Sequence, residues 1–311
     1  MNWTPADIPS QKNKIAIVTG ASAGIGAATT RILAHKGAHV IMAVRNVEKG
    51  DRVADAIRSE YPDAKLHVMK LDLSEIASIH AFATAYLASF DQLDLLINNA
   101  GVYSNGKDGQ TTADGFALVM GVNHLGHYAL TGLVLDRLLS TPSSRVITVT
   151  SGAHTGGKID LDTFHTVEAG ERNAYGDSKL ANLLFALELQ RKFEQINART
   201  ISVAASPGAT KSDAVQNLIH SQKNRLMRVA ADILTNIVME SSEMGAMPSL
   251  RASTDPQVQG GNYYGPGGFM GMRGYPKVKK PAKSADNETL ALGLWERSTE
   301  LTGVGYGKLH I

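Results

Sequence analysis

The stretch TGASAGIG, Thr19–Gly26, separates an apolar run from an amphipathic pattern and decides the fold class. Its three glycines allow a sharp turn and let backbone amides approach a pyrophosphate. The helix that follows adds a partial positive charge at its first turn. A glycine-rich turn without a ligand is the alternative, but the strand–turn–helix context favours a dinucleotide site. The residues expected to form this site are Gly20, Ser22, Gly24, Ile25 and Gly26.

Short apolar runs alternate with longer amphipathic stretches on both sides of this turn. The strand-like runs are KIAIVTG, AHVIMAV, KLHVMKLD, LDLLINNA, SRVITVTS and ARTISVAAS. The helical patterns are Ile25–Lys36, Val47–Glu60, Glu75–Ser89, Val122–Leu139 and Ala174–Phe193. Alternation with short connections, and strands that are apolar throughout, predict a parallel sheet with helices on both faces. The predicted fold class is α/β, a doubly wound, Rossmann-type parallel sheet in a single domain with a modified C-terminal region.

The pattern loosens after SPG, Ser206–Gly208. The segment NYYGPGGFMGMRGYPKVKKPAK, Asn262–Lys283, is rich in glycine, proline and aromatic residues. It predicts a surface loop on the same domain, and its aromatic and methionine residues are consistent with covering a substrate. A last helical pattern follows around Asp286–Thr302.

Composition excludes several classes of protein. Hydrophobic residues make up 43% and charged residues 19% of the 311-residue chain, as in an ordinary globular protein with a large core. The net charge of +2, without a long basic run, argues against a nucleic-acid partner. Cysteine is absent, which excludes disulfides and thiolate catalysis. The first residues, MNWTPADIPSQKNK, lack the apolar region of a signal peptide, and we expect a cytoplasmic protein with no membrane anchor.

The end of the second predicted strand bears on the choice of dinucleotide. A protein specific for NAD places an acidic residue there to bind the ribose hydroxyls, whereas this chain has Val44 followed by Arg45. A guanidinium suits a 2′-phosphate, and no carboxylate repels it. A surface arginine is the alternative, but we expect the cofactor to be NADP(H).

The motif YGDSK, Tyr175–Lys179, places a phenol and an ammonium group four residues apart. The same spacing occurs at Tyr61–Lys65 and Tyr275–Lys279, where a proline after the tyrosine disfavours a helix. Only the middle copy leads into a helical pattern, in which these positions share a face. At roughly 5 Å and an effective dielectric of about 20, the lysine stabilises a phenolate by about 3 kcal/mol. We therefore expect a tyrosine tuned for proton transfer, with its pKa lowered by the lysine.

Seven motifs, in order, resemble those of the short-chain dehydrogenase/reductase family. They are TGASAGIG, LDL, NNAG, GVNHLGHYALT, VTSGAH, YGDSK and SPG, all within Lys14–Gly208. The features VRN and NHLGHY, and the long gap between serine and tyrosine, are most similar to the branch of retinol dehydrogenases and protochlorophyllide reductases. The resemblance implies one domain, 1–311, with a cofactor-binding and catalytic core at 14–208 and a substrate-shaping region at 209–311.

The resemblance also implies roles for individual residues. The implied catalytic residues are Asn123, Ser151, Tyr175 and Lys179. Besides the glycine turn and Arg45, the implied cofactor-binding residues are Asp72, Leu73, Asn99, Ala100, Gly101, Tyr175, Lys179, Pro207 and Gly208. The chain departs from the family pattern in two places. The insertion TGGKIDLDTFHTVEAGERN is expected to loop out, and Ser212 replaces a common threonine.

These residues predict an NADPH-dependent oxidoreductase that reversibly reduces an aldehyde or ketone to an alcohol. Reduction of a carbon–carbon double bond and a catalytically silent dinucleotide sensor are the alternatives. The expected partner is a small-molecule carbonyl or alcohol substrate, and the family resemblance allows a homo-oligomer. No metal is expected, because the histidines lack a ligand spacing. The segments expected to shape the pocket are Val102–Gly109, the insertion after Ser151, Thr210–Arg228 and the glycine- and proline-rich loop.

Overall fold

A twisted sheet runs through the centre of the protein in a computed structural model, which describes residues 2–103, 109–208, 241–268, 271 and 273–309. The strand order within these residues is β3-β2-β1-β4-β5-β6-β7-β8, and every neighbouring pair is parallel except β7 and β8. The strands are β1 Ile15–Thr19, β2 His39–Val44, β3 Lys65–Lys70, β4 Leu95–Asn98, β5 Arg145–Val149, β6 Ile201–Ala205, β7 Tyr263–Pro266 and β8 Pro276–Lys279. The chain is a single domain, and the predicted α/β fold class is confirmed.

Helices cover both faces of the sheet. They are α1 Gly24–His35, α2 Val47–Glu60, α3 Ile76–Ser89, α4 Leu118–Met120, α5 Gly126–Leu133, α6 Leu135–Ser140, α7 Val167–Gln195, α8 Ser242–Thr254 and α9 Glu288–Thr302. Alternate side chains of β1 explain the two layers. Ala16 and Val18 pack with α1, α2 and α8, whereas Ile17 packs with α3, α5 and α7. Strands buried on both faces therefore read as continuous apolar runs.

The predicted loop Asn262–Lys283 is wrong in part, because it contains β7 and β8. Tyr263 and Tyr264 are buried and pair with Ala204 and Ala205 of β6, so the tyrosines extend the sheet. The antiparallel strand β8 forms the outer edge, with two lysines and a proline that discourage pairing with another strand. The glycine and proline residues of this segment predict a loop. The hairpin is evident only from its pairing with the neighbouring strand β6.

The predicted helix Val122–Leu139 is interrupted. A π-turn, Gly121–Leu125, separates α4 from α5, and Val134 breaks the helix again with φ −101° and ψ 7°. Close packing accompanies the π-turn. A Cβ added at Gly126 would lie 2.6 Å from the carbonyl oxygen of Leu73.

The insertion before YGDSK is partly helical, although a loop is predicted. Residues Gly152–Gly156 form a 3-10 helix, and α7 begins at Val167 rather than at Ala174. Asn173 interrupts α7 with φ −161° and ψ 49°. Its side chain accepts a hydrogen bond from the Gly176 amide at 3.3 Å, as a helix cap does. The tyrosine and lysine of YGDSK therefore lie in the first turns of the helix after this break.

The last helix, α9, belongs to the same body as the core. Ser298 and Thr299 on α9 bond to the side chains of His124 and Tyr128 at 3.0 and 2.6 Å. The Tyr306 hydroxyl donates to the Tyr128 carbonyl at 2.7 Å. No helix within the described ranges is long and apolar enough to cross a membrane.

Candidate active site

The carboxyl edge of the parallel sheet gathers the residues that the sequence analysis selects. Ligands bind at this edge in open α/β sheets, where the strand order reverses. In this sheet the order reverses between β1 and β4. Three predicted residues directly follow strands β1, β2 and β4, namely Gly20, Arg45 and Asn99. Three more stand two residues after strands β3, β5 and β6, namely Asp72, Ser151 and Pro207.

The glycine-rich turn has a backbone that only small residues allow. Gly20 has a φ of 68°, and a Cβ on Gly26 would lie 2.3 Å from the Gly20 carbonyl oxygen. Gly24 has a φ of 50° and has no atom within 4 Å of its added Cβ. A side chain at Gly26 would therefore clash with the turn itself, whereas the described residues leave space beside Gly24.

The first turn of α1 suits an anion. Its N-cap residue, Ala23, makes no side-chain cap hydrogen bond, and the turn carries no acidic residue. Among the described residues, no side chain caps the amides at this end, and the helix dipole favours a negative charge there. These residues therefore fit the pyrophosphate of a dinucleotide.

A buried network joins this turn to the segment after β4. The Thr19 oxygen accepts the amides of Asn99 and Ala100, each at 2.9 Å, and the Asn99 side chain donates to the Thr19 carbonyl at 2.8 Å. The Thr19 hydroxyl also lies 2.9 Å from Nε2 of His127. The network holds the end of β4 against the glycine turn.

His127 has a defined tautomer in this network. Its Nδ1 lies 3.0 Å from the Asn123 carbonyl oxygen, which only accepts, so Nδ1 carries the proton. Burial lowers the pKa of His127 to about 4, so the ring is neutral at pH 7. Nε2 therefore accepts the Thr19 hydroxyl proton. From the sequence, the histidines were weighed only as metal ligands and that role was rejected, so this contact of His127 was not predicted.

Asn123 fixes the chain just beyond the NNAG motif. Its Oδ1 accepts the Val102 amide at 2.8 Å, and its Nδ2 donates to the Val102 carbonyl at 3.0 Å and to the Ser178 hydroxyl at 3.0 Å. A Cβ on Gly101 would lie 3.3 Å from Asn123 Oδ1 and 3.5 Å from Lys179 Nζ. Glycine at 101 therefore leaves room beside it for the Asn123 amide oxygen and the Lys179 ammonium.

Tyr175, Lys179 and Ser151 lie together, as the sequence predicts. The Lys179 Nζ is 5.5 Å from the centre of the Tyr175 ring and donates to the Val149 carbonyl at 3.2 Å. The Ser151 side chain lies close enough to the Tyr175 phenol to lower its pKa. Lys179 is 3% exposed, so its charge acts in a region of low polarity.

Burial dominates the pKa values of this pair. It raises the pKa of Tyr175, and the nearby Ser151 side chain opposes that rise. Burial lowers the pKa of Lys179 to about 8. The sequence expectation of a tyrosine pKa lowered by lysine differs from this direction, because desolvation of the phenolate is the largest effect. At pH 7 Tyr175 is protonated and can donate, and Lys179 is mostly charged.

His154 connects the serine to the C-terminal region. Its Nδ1 donates to the Ser151 carbonyl at 2.5 Å, and its Nε2 accepts the Ala282 amide at 3.3 Å. Burial lowers the pKa of His154, which favours the neutral ring that both bonds require. The region after residue 208 therefore reaches the edge of the site.

The remaining predicted contacts follow strands β2, β3 and β6. Arg45 is exposed directly after β2, whereas Val44 is buried. Asp72 is partly buried, with Oδ1 accepting from the Ser74 amide and hydroxyl at 2.9 and 2.6 Å, and Leu73 is buried. The partly buried Pro207 and Gly208 follow β6, with a φ of 75° at Gly208.

Sequence analysis did not single out Tyr103, whose ring contacts that of Tyr175. Its position two residues after NNAG, inside a predicted pocket segment, is the signal that was available. Residues 104–108 and Thr210–Arg228, including Ser212, lie outside the described residues. In the part of the chain that is described, no cluster of three His, Asp or Glu residues has the arrangement of a metal site.

The model of the short chain dehydrogenase family matches residues 14–223. Retinol dehydrogenase 11 from Homo sapiens is 38% identical over 302 residues, which cover 94% of this chain and 86% of the relative. A crystal structure of an uncharacterized protein from Mycobacterium paratuberculosis has a TM-score of 0.77 and 33% identity, over 98% of this chain and 99% of that one. A Pseudomonas aeruginosa RhlG/NADP complex, at a TM-score of 0.64 and 23% identity, shares the fold and covers 82% of this chain and 94% of that one.

The family match spans more than half of the chain, and the human relative is similar over nearly all of it. The site geometry agrees with both findings, because the motifs that carry the resemblance meet at one edge of the sheet. The protein belongs to the short-chain dehydrogenase/reductase family of oxidoreductases, in the retinol dehydrogenase-like branch.

Proposed function

We propose that this protein is an NADPH-dependent oxidoreductase that reversibly reduces an aldehyde or ketone to an alcohol. One observation carries the proposal: the Lys179 ammonium lies 5.5 Å from the centre of the Tyr175 ring, and the Ser151 side chain lies close enough to the phenol to lower its pKa. This arrangement provides a proton donor, a hydrogen-bond donor for a carbonyl oxygen and a fixed positive charge. The relative named retinol dehydrogenase 11 supports chemistry between an alcohol and a carbonyl.

The proposed cofactor contacts follow from the shape and charge of the edge. The glycine turn, Gly20–Gly26, would hold the pyrophosphate, with Ser22 and Ile25 in the same turn. Arg45 would bind the 2′-phosphate, because it is exposed after β2 and no carboxylate follows that strand. The other proposed contacts are Asp72 and Leu73 for adenine, and Asn99, Ala100, Gly101, Pro207 and Gly208 for the rest of the dinucleotide.

The reduced nicotinamide supplies a hydride to the carbonyl carbon when it is bound. Ser151 would donate a hydrogen bond to the carbonyl oxygen and orient it. Tyr175, whose phenol is protonated at pH 7, would deliver its proton to the same oxygen. The charge of Lys179 would then stabilise the phenolate that remains, and Asn123 would hold the neighbouring backbone in place.

The two parts of the domain would have different tasks. We assign cofactor binding and proton transfer to residues 14–208. We assign the shaping of the substrate site to residues 209–311. The contact of His154 with Ala282 supports this division, because it brings the C-terminal region to the serine.

A screen of aldehydes and ketones with NADPH and with NADH tests the proposal. We expect oxidation of NADPH by some of the carbonyl compounds, with alcohols as products. Tyr175→Phe should reduce turnover about a thousandfold. It should keep its affinity for NADPH, as measured by nucleotide fluorescence. Tyr61→Phe, which removes a phenol at the opposite edge of the sheet, is the matched control.

Two results would contradict the proposal. Wild-type protein that turns over no carbonyl compound of the panel but binds NADPH would indicate a silent dinucleotide-binding protein. A saturated ketone formed from an enone would instead indicate reduction of a carbon–carbon double bond.

A further inference from the structure

The buried ring of His127 joins helix α5 to the glycine-rich turn. Its Nε2 lies 2.9 Å from the Thr19 hydroxyl, and its Nδ1 lies 3.0 Å from the Asn123 carbonyl oxygen. The residue is 1% exposed, and the ring is neutral at pH 7 because burial lowers its pKa to about 4. The proton transfer proposed above makes no use of this ring.

The Thr19 hydroxyl uses all of its hydrogen-bonding capacity. A hydroxyl carries one proton and two lone pairs. The lone pairs of Thr19 accept the amides of Asn99 and Ala100, each at 2.9 Å, so the oxygen cannot also accept a proton from His127. The hydroxyl proton therefore goes to Nε2 at 2.9 Å, since the other acceptor, the Ile97 carbonyl, lies 3.3 Å away and outside the usual range for a hydroxyl donor.

Two independent contacts select the same tautomer of His127. The Asn123 carbonyl only accepts, so it requires a proton on Nδ1. The occupied lone pairs of Thr19 require a bare Nε2. In this state of the ring, the Thr19 hydroxyl cannot rotate without losing its bond to Nε2. Both of its lone pairs therefore stay directed at the two amides.

Asn99 and Ala100, which carry these amides, pack directly against the glycine-rich turn. A Cβ on Gly20 would lie 3.0 Å from the Cα of Ala100. A Cβ on Gly26 would lie 2.7 Å from the side-chain nitrogen of Asn99. Because the two segments pack without spare room, a displacement of the amides would also disturb the turn. His127 can thus act on the proposed nucleotide site from inside the core.

We propose that His127 is a positioning residue for dinucleotide binding, acting through the Thr19 hydroxyl on the two amides that follow β4. This role rests on the cofactor contacts proposed for Asn99 and Ala100. His124, three residues earlier, provides a contrast. It is also buried, but its Nε2 bonds to a serine hydroxyl on α9.

Two substitutions of similar size separate the two bonds of the His127 ring. His127→Gln can place an amide oxygen near the position of Nε2, whereas His127→Asn reaches only the position of Nδ1. Loss of the bond to Thr19 should weaken NADPH binding by His127→Asn about tenfold, as measured by titration calorimetry. His127→Gln should stay within about threefold of wild type. The matched control, His124→Asn, should stay within about twofold.

Kinetics distinguish positioning from a general loss of structure. In His127→Asn the KM for NADPH should rise about tenfold, whereas kcat at saturating NADPH should change less than about twofold. A fall in kcat with an unchanged KM for NADPH would overturn the positioning role.

Two measurements require no nucleotide. Nitrogen-15 NMR of the wild type at pH 7 should show a proton on Nδ1 of His127 and none on Nε2. Amide hydrogen exchange at Asn99 and Ala100 should be about tenfold faster in His127→Asn than in wild type, and unchanged in His124→Asn. Because the tautomer is observed in the wild type, this part of the test does not depend on the folding of a variant.

The results separate the positioning role from the proposed function. If the wild type binds neither NADPH nor NADH, the proposed function fails. Faster exchange of the two amides in His127→Asn would then still support the hold of His127 on them, and unchanged exchange would overturn it. If the wild type binds NADPH, a proton on Nε2, or equal affinities of His127→Asn and His124→Asn, would overturn the positioning role alone.

Discussion

The site residues occupy two regions with different surroundings, a buried centre and an open rim. Thr19, Asn123 and Lys179 in the centre are at most 3% exposed, and each is hydrogen-bonded to backbone atoms. Arg45 and Tyr103 at the rim face solvent. The fold itself therefore fixes the positions of the buried polar groups, whereas the side chains at the rim remain exposed to solvent.

Lys179→Met tests the buried centre most severely. Removing the charge that stabilises the phenolate, worth about 3 kcal/mol, should lower kcat about a hundredfold. Stopped-flow or steady-state NADPH oxidation measures the loss. Lys192→Met on the same helix, where the lysine lies 3.7 Å from Glu188, should keep turnover within about twofold. Equal losses of kcat in the two variants would contradict the proposed stabilisation of the phenolate by the Lys179 charge.

The same substitution should make the protein more stable at pH 7. The Lys179 pKa is about 8 in the fold and 10.5 in the unfolded chain, so the unfolded state binds more protons between these values. Burying the cation therefore costs up to about 3 kcal/mol below pH 8, and the cost is relieved as the pH rises to 10.5. Chemical denaturation at pH 7 and pH 10 measures this difference. A Met variant less stable than wild type at pH 7 would contradict it.

Arg45→Asp tests whether the exposed arginine after β2 discriminates between NADPH and NADH. Loss of a charge-assisted bond, together with repulsion of a 2′-phosphate, should shift the ratio of NADPH to NADH affinity about thirtyfold toward NADH. Isothermal titration with both nucleotides measures the ratio. Arg52→Asp, an equal charge change at an exposed position on α2, should shift it little. An unchanged ratio in Arg45→Asp would show that the rim does not choose between the nucleotides.

Thr19→Val tests the hydrogen bonds of the centre without a change of shape. It leaves the amides of Asn99 and Ala100 without an acceptor, so the free energy of unfolding should fall by about 2 kcal/mol. Thr29→Val is the matched control, because the buried Thr29 hydroxyl has no hydrogen-bond partner among the described residues. The control should be neutral or stabilising. Equal destabilisation of both variants would show that the hydrogen bonds of Thr19 do not account for the loss of stability.

The pH dependence of wild-type activity tests the role of the Lys179 charge. Because the Lys179 pKa is about 8, its charge is lost as the pH rises above that value. The kcat/KM for carbonyl reduction should then fall, by about tenfold for each pH unit well above 8. The residual activity of Lys179→Met should lack this limb. A flat profile to pH 10 would contradict the assignment.

Several elements could be predicted from local sequence. The turn at Gly20–Gly26 requires glycines, and the spacing of Tyr175 and Lys179 places both on one face of a helix. The hairpin of β7 and β8 could not be predicted from local sequence. Its glycines and prolines are typical of a loop, and only the tertiary structure provides β6 as a partner strand. The break in helix α7 at Asn173 could not be predicted either, because it lies in a segment whose local sequence is typical of a loop.

Local sequence specifies the alternation of strands and helices, the glycine turn and the residues of the proposed site. Each depends on neighbours a few residues away, where chemistry and periodicity are visible. The tertiary structure alone decided that Asn123 holds Val102, 21 residues away, and that His127 meets Thr19, 108 residues away. It also decided that burial raises the pKa of Tyr175 and lowers that of Lys179, since desolvation depends on what the whole fold packs around a side chain.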